Sequence, residues 1–141
     1  MSQHPLRTLI ETCDAAISWR DFDALMAFYA EDAALVVKPG MVVRGIPAIR
    51  RAFGAISDHF QGQLQVTQGA MEVIEGADNA LVIMETRLNY PDGQGGLTDE
   101  TRRATYVFRK EADGQWRCTI DNSYGTALLA AVGVDARPST D

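Results

Sequence analysis

Residues 29–53 read YAEDAALVVKPGMVVRGIPAIRRAF, and the order of signals in this stretch decides the fold. Ala33-Ala34-Leu35-Val36-Val37 is apolar and β-branched, which favours a strand, and Lys38-Pro39-Gly40 stops it with turn chemistry. A second short strand follows. Gly45-Ile46-Pro47 then opens a helix, because proline's missing N–H costs nothing in a first turn. The helix carries Ile46, Ile49, Phe53, Ile56 and Phe60 as its buried stripe.

Upstream, Leu6, Leu9, Ile10, Cys13, Ala16 and Ile17 recur at helical spacing. Asp21 is placed to cap a short second helix containing Phe22, Leu25, Met26, Phe28 and Tyr29. Downstream the period changes from helical to alternating. Strands are expected over 64–74, 80–90, 101–110 and 115–124, broken at 75–79, at Pro91-Asp92-Gly93-Gln94-Gly95-Gly96 and at Asp113-Gly114. Helices followed by a meander imply an α+β domain, with three N-terminal helices on one face of a mostly antiparallel sheet. The glycine-rich break lacks a phosphate-loop spacing and reads as a mobile hairpin turn or lid. A single domain is expected over 1–126, with 127–141 as a partly disordered tail.

The chain has 141 residues, enough for one cored domain and too few for two. Its 13 basic and 19 acidic residues leave a net charge of −6, which argues against nucleic acid and anionic membranes as partners. The first residues lack a secretory pattern, and no apolar run reaches the ~20 residues of a membrane span. Two cysteines, Cys13 and Cys118, and two histidines show no metal-ligand spacing. The expectation is a reduced, cytoplasmic protein with no metal and no cofactor. Cys13 and Cys118 are expected on opposite sides of the sheet, and Trp19 and Trp116 in the core or an interface.

The order YAEDAALVV, then PG and VRG-x-PAIR-x-x-F, then four long strands with DGQW before the last, resembles the nuclear transport factor 2-like superfamily. Within it the chain is similar to the SnoaL-like and DUF4440 group, with ketosteroid isomerase more distant. The resemblance covers about residues 6–124 and implies a cone: a curved sheet wrapped around the helices, with a ligand pocket inside. Carried onto this chain, it sends the odd positions of the late strands inward. Those are Leu81, Ile83, Glu85, Arg87, Arg103, Thr105, Val107, Thr119, Asp121 and Ser123, joined by Cys13, Tyr29 and Phe53 from the earlier elements. The even face, strongly apolar from Val82 to Ile120, would then pack against a second copy on the outer side of the sheet.

The same correspondence removes one activity. The isomerase's base falls at Val37 or Lys38, its tyrosine donor at Cys13 and its protonated aspartate near Thr105, so all three roles are lost. Glu85 and Asp121 remain as candidate acid or base residues, as an acidic residue serves in SnoaL-like cyclases. A carboxylate in an apolar cavity gains a raised pKa and becomes a usable base. Arg87, two residues from Glu85 on the same face, would hold a substrate oxyanion beside the base, with Tyr29 as a donor and Arg103, Cys13, Phe53, Thr105, Thr119 and Ser123 lining the pocket. A mutual ion-pair network among Glu85, Arg87, Arg103 and Asp121 is the competing structural reading. Asp32 reads as a turn or helix-end residue. Three classes stay open: an isomerase, cyclase or lyase acting on a carbonyl compound, a non-catalytic binder of a small acidic ligand held by Arg87 and Arg103, and a dimeric association module.

Overall fold

The computed structural model describes residues 4–131. In chain order they form α1 (Pro5–Trp19), α2 (Phe22–Met26), β1 (Tyr29–Lys38), β2 (Met41–Arg44), α3 (Ile46–His59), β3 (Gln65–Glu75), β4 (Asn79–Pro91), β5 (Leu97–Lys110), β6 (Trp116–Asn122) and α4 (Ala127–Ala131). Three helices therefore precede β3, and a fourth, one turn long, follows the sheet. The expected frayed tail lies outside the described residues beyond Ala131.

Local chemistry explains the boundaries. Pro5 sits in the first turn of α1, and the His4 ring accepts the Leu6 N–H at 3.0 Å. The Asp21 carboxylate caps α2 by accepting from Ala24 N–H at 3.1 Å. That helix stops at Met26, earlier than its apolar run suggests, because Tyr29 is claimed by the sheet: Cys118 N–H donates to the Phe28 carbonyl at 2.9 Å. Gly45 adopts φ 85°, a conformation that favours glycine, and its N–H reaches the Ala33 carbonyl at 2.8 Å as α3 begins. The glycine-rich hairpin is tighter than expected. Asp92 Oδ1 accepts from the N–H groups of Gln94 and Gly96, and pairing of β4 with β5 runs on to Pro91 and Leu97.

The six strands are ordered β2-β1-β6-β5-β4-β3 in one curved, open sheet. All neighbours are antiparallel except β1 and β6, which run parallel. Two bulges matter for the site. On β3 the register slips between Gln68 and Met71, so both face inward although three residues apart. On β6, Cys118 faces Phe108 and Asp121 faces Tyr106, with Thr119 and Ile120 sharing the interval. The single extra residue turns Asp121 to the side that Cys118 occupies.

The face of β4 and β5 that meets the helices is the even one, a correction to the expected orientation. Ala80, Val82, Met84, Ala104, Tyr106 and Phe108 are buried with Leu6, Ile10, Cys13, Leu25, Ile49 and Phe53 in one core. Leu81 and Ile83 are 37% and 40% exposed. The reason is the hydrophobic effect itself: the more continuously apolar face goes to the helices, and the face carrying Glu85, Arg87 and Arg103 stays in water. Cys13 and Cys118 accordingly share this core instead of lying on opposite sides of the sheet. Trp116 packs partly against the core, whereas Trp19 is 83% exposed.

Candidate functional site

Parallel pairing brings the start of β1 beside β6, with Tyr29 opposite Cys118 and Leu35 opposite Asp121. The Tyr29 hydroxyl donates to Asp121 Oδ2 at 2.6 Å, and both residues are buried. Phe28 meets the Tyr29 ring edge-on at 5.0 Å, and Phe53 from α3 lies 6.1 Å away. This apolar setting penalises the charged form, so burial pushes the Asp121 carboxyl up to about 6 while the Tyr29 bond pulls the other way. Burial, and then the Asp121 charge, raise the Tyr29 phenol well above its ordinary value. Tyr29 is therefore a neutral donor throughout the physiological range.

A second buried carboxyl, Asp14 on α1, is not among the residues expected from sequence. It is 6% exposed, and Gln68 Nε2 donates to its Oδ2 at 2.8 Å. Gln68 in turn accepts from the Thr86 hydroxyl at 2.9 Å, and Thr86 is hydrogen-bonded to Tyr106. Burial pushes Asp14 up to about 7; the Gln68 bond opposes the rise, and the charges of Asp121 and Glu11 add to it. The Tyr106 phenol is raised by burial first and then by Asp121 and Asp14, which ties the two carboxyls to one region. A sequence signal for Asp14 exists. It falls four residues after Ile10 and three before Ile17, a charge inside an apolar helical stripe.

The expected site residues divide sharply. Asp121, Tyr29, Cys13 and Phe53 are buried together, and burial raises the Cys13 thiol, making it a poor nucleophile. Glu85, Arg87 and Arg103 lie on the outer face and do not enter the interior. Glu85 faces Arg103 across the strands and approaches Arg87 at 3.9 Å, with side chains 35% and 60% exposed for Glu85 and Arg87. Thr105 accepts from Asn122 Nδ2, Thr119 donates to the Val107 carbonyl, and Ser123 accepts from Arg102. These three hydroxyls hold the sheet and do not join the buried group. Asp32 lies within β1, not in a turn, and pairs with Arg109 at 3.1 Å. The expected ion-pair network does not extend to Asp121 among the described residues: the carboxylate's side-chain partner is Tyr29.

Above Phe53 a narrow cleft is lined by Ile17, Phe22, Phe53, Ile56, Ser57, Gly62 and Leu64. Its free space of about 10 Å³ is roughly the room of one water. Among the described residues, no group of three or more His, Cys, Asp or Glu is gathered as a metal site, and no helix is long and apolar enough to cross a membrane.

The profile of the SnoaL-like domain matches residues 6–120. Among solved structures, Aln2 from a Streptomyces species is 18% identical, with 94% of this chain and 99% of that one covered at a TM-score of 0.77. A protein from Streptomyces avermitilis, named as a candidate dehydratase of the nuclear transport factor 2-like family, is 22% identical over 82% of this chain and 90% of its own, at 0.68. A nuclear transport factor 2-like protein of unknown function from Pseudomonas putida is also 22% identical, covering 82% and 80%, at 0.68. The comparison with curated proteins returns no match.

Proposed function

The chain belongs to the SnoaL-like domain family, and on that footing we propose that it is a cofactor-independent enzyme of the isomerase, cyclase or lyase type, working by acid–base chemistry on a small carbonyl compound. The observation that carries this reading is a buried carboxyl without a cationic partner among the described residues: Asp121, bonded to Tyr29 at 2.6 Å and held at about 6. A purely structural carboxylate in such a place would ordinarily be paired with arginine or lysine. A carboxyl left near neutrality can change protonation state during turnover.

Asp121 and Asp14 suit complementary roles. At neutral pH the group near 6 is mostly ionised and fits the base; the group near 7 keeps much of its proton and fits the acid. In the proposed step the α-proton moves to the Asp121 carboxylate and the C–H electron pair becomes the enolate double bond. The carbonyl oxygen takes up negative charge and receives the Asp14 proton. Tyr29 orients Asp121, and the Thr86–Gln68 pair orients Asp14. The candidate dehydratase among the structural relatives is compatible with this class, since loss of water beside a carbonyl starts from the same proton.

Deuterium exchange tests this without knowledge of the true substrate. Wild-type protein in heavy water should accelerate α-exchange of at least one member of a panel of enolisable cyclic ketones. Asp121→Asn should lose ~10²-fold or more of that acceleration, the scale of a lost general base. Equal exchange by both proteins across the panel would reject the reading.

A second reading concerns assembly. Ile74, Leu81, Val107 and Ile120 face one another in register across four strands on the outer side of the sheet. Ile74, Leu81 and Ile120 are 53%, 37% and 44% exposed. Such a row is costly in water, and we propose that it pairs with a second copy of the chain. The dimer face is thus the odd one, not the even one.

A further inference from the structure

We infer that Tyr106, Thr86 and Gln68 form a hydrogen-bond relay whose direction reverses with the proton on Asp14, so that Tyr106 turns its O–H into the buried site only when Asp14 is protonated. Donor counting gives the direction for the ionised form. Gln68 Nε2 donates to Asp14 Oδ2 at 2.8 Å, which leaves Gln68 Oε1 to accept the Thr86 hydroxyl at 2.9 Å. A threonine has one hydroxyl proton, and here it is spent on Gln68. The hydrogen bond between Thr86 and Tyr106 therefore has the phenol as its donor. The register permits the contact. Tyr106 and Arg102, opposite Val82 and Thr86, flank Ala104 on the inner face of β5, and that small buried residue leaves the ring room to lean toward Thr86. Asp14, Thr86 and Tyr106 are all buried, so each must find its partner within the relay.

Protonating Asp14 forces the exchange. An ionised carboxylate only accepts, but a carboxylic acid has an O–H to donate, and the side-chain partner of Asp14 among the described residues is Gln68. An amide that keeps its N–H groups toward Asp14 leaves the new proton unsatisfied, which is costly in a buried site. Half a turn of the amide, which swaps two atoms of nearly equal size, brings Oε1 to Asp14 and Nε2 to Thr86. Gln68 then donates to the Thr86 oxygen, Thr86 donates to the Tyr106 oxygen, and the Tyr106 O–H is released. Arg7 fixes the backbone carbonyls of Gln68 and Gly69, so the pivot stays in place while the amide turns. The other titrating groups around the relay are Glu11 and Cys13 on α1 and Asp121 on β6, which faces Tyr106 in the sheet. Arg102, opposite Thr86, is occupied by Glu100 at 2.6 Å and Ser123 at 3.1 Å. The relay operates without substrate and so stands apart from the acid–base reading above. Within that reading it adds Tyr106 as a donor available while Asp14 holds the acid proton.

The test follows Tyr106 and Gln68 by NMR across a pH titration through the Asp14 midpoint, in protein carrying Cζ-labelled tyrosine assigned with Tyr106→Phe. The Tyr106 resonance should step at the midpoint at which Asp14 itself titrates, wherever that falls, and the step should vanish in Asp14→Asn. Asp121→Asn should keep it. Thr86→Val has nearly the shape of threonine without the hydroxyl; there Asp14 should still titrate but the Tyr106 step should be lost, and Thr86→Ser should restore it. A through-space effect of the Asp14 charge would survive in Thr86→Val, so a step retained there overturns the proposal. A wild-type Tyr106 resonance that ignores the Asp14 midpoint overturns it as well. One observation needs no variant. The Gln68 amide protons should show nuclear Overhauser contacts to the Thr86 methyl group that are strong below the midpoint and weaken above it. Contacts unchanged through the midpoint would overturn the relay even if Thr86→Val fails to fold. Failure of ketone exchange leaves these results standing, and their failure leaves the exchange standing.

Discussion

Asp14 and Asp121 are the residues whose surroundings depart furthest from what their side chains prefer. Water would leave both ionised well below neutrality, but burial makes the charge expensive and pushes them up to about 7 and about 6. The consequence for stability has a definite sign. Between the ordinary carboxyl value of 3.8 and these raised values, the native protein holds more protons than the unfolded chain, so stability falls as pH rises from about 4 to about 7. For Asp14 the loss is on the order of 3–4 kcal/mol. Asp14→Asn keeps the oxygen that accepts from Gln68 and removes the charge, so its unfolding free energy should be flatter with pH and higher than wild type at pH 7. Chemical denaturation at a series of pH values checks this. At the same scale, Tyr29→Phe deletes the bond that holds Asp121 down, so the acid limb of any pH–rate profile should move to higher pH. A limb that moves lower would contradict the role given to Tyr29.

Among elements, the two bulges do the aiming. Each lengthens the inward repeat from two residues to three and turns a polar side chain, Gln68 or Asp121, to the core side of the sheet. The β3 bulge is clamped from α1: Arg7 donates to the Gly69 carbonyl at 2.8 Å and to the Gln68 carbonyl at 3.3 Å. Arg7→Ala should loosen that clamp, lowering stability by about 1–3 kcal/mol. It should also raise the Asp14 pKa further, because a less constrained Gln68 donates less well. Unaltered Asp14 titration in a protein destabilised to that extent would show that Arg7 supports the fold alone. The bulges also mark how far the sequence can be read. Pro47, Asp21, the Asp113-Gly114 turn and the alternation of the strands have local signatures, and the elements fall close to where those put them. A bulge leaves no such signature. Strict alternation groups Cys118 with Ile120, whereas the sheet groups Cys118 with Asp121. The face of β4 and β5 escapes a sequence reading for another reason. Its even side chains are visibly too apolar for water, but the pattern does not say whether helices or a partner cover them, and here the helices do. Glu85, Arg87 and Arg103 leave the site with that correction, and Asp121 stays because the bulge reverses its parity. Asp14 is hidden because a charge in an apolar helical stripe looks like noise until burial is known.

At the scale of the whole molecule, one sheet has two differently built faces. Its inner face closes over the helices around Asp14 and Asp121, and its outer face presents an exposed apolar row, the surface proposed above to meet a second copy. Leu81→Lys places a charge in the middle of that row and should yield monomers by sedimentation at micromolar concentration, with ketone exchange retained if the site is complete within one chain. A wild-type monomer at that concentration would contradict the assembly. The enzyme reading depends on a protein that keeps two aspartates near neutrality in its interior, and their titration can be observed directly. Carboxyl-carbon NMR of protein labelled at aspartate, assigned with Asp14→Asn and Asp121→Asn, should show two midpoints well above all other aspartates, near 7 and near 6. Both carboxyls titrating close to the ordinary 3.8 would mean that they are solvated and ionised at neutral pH, and would contradict the account.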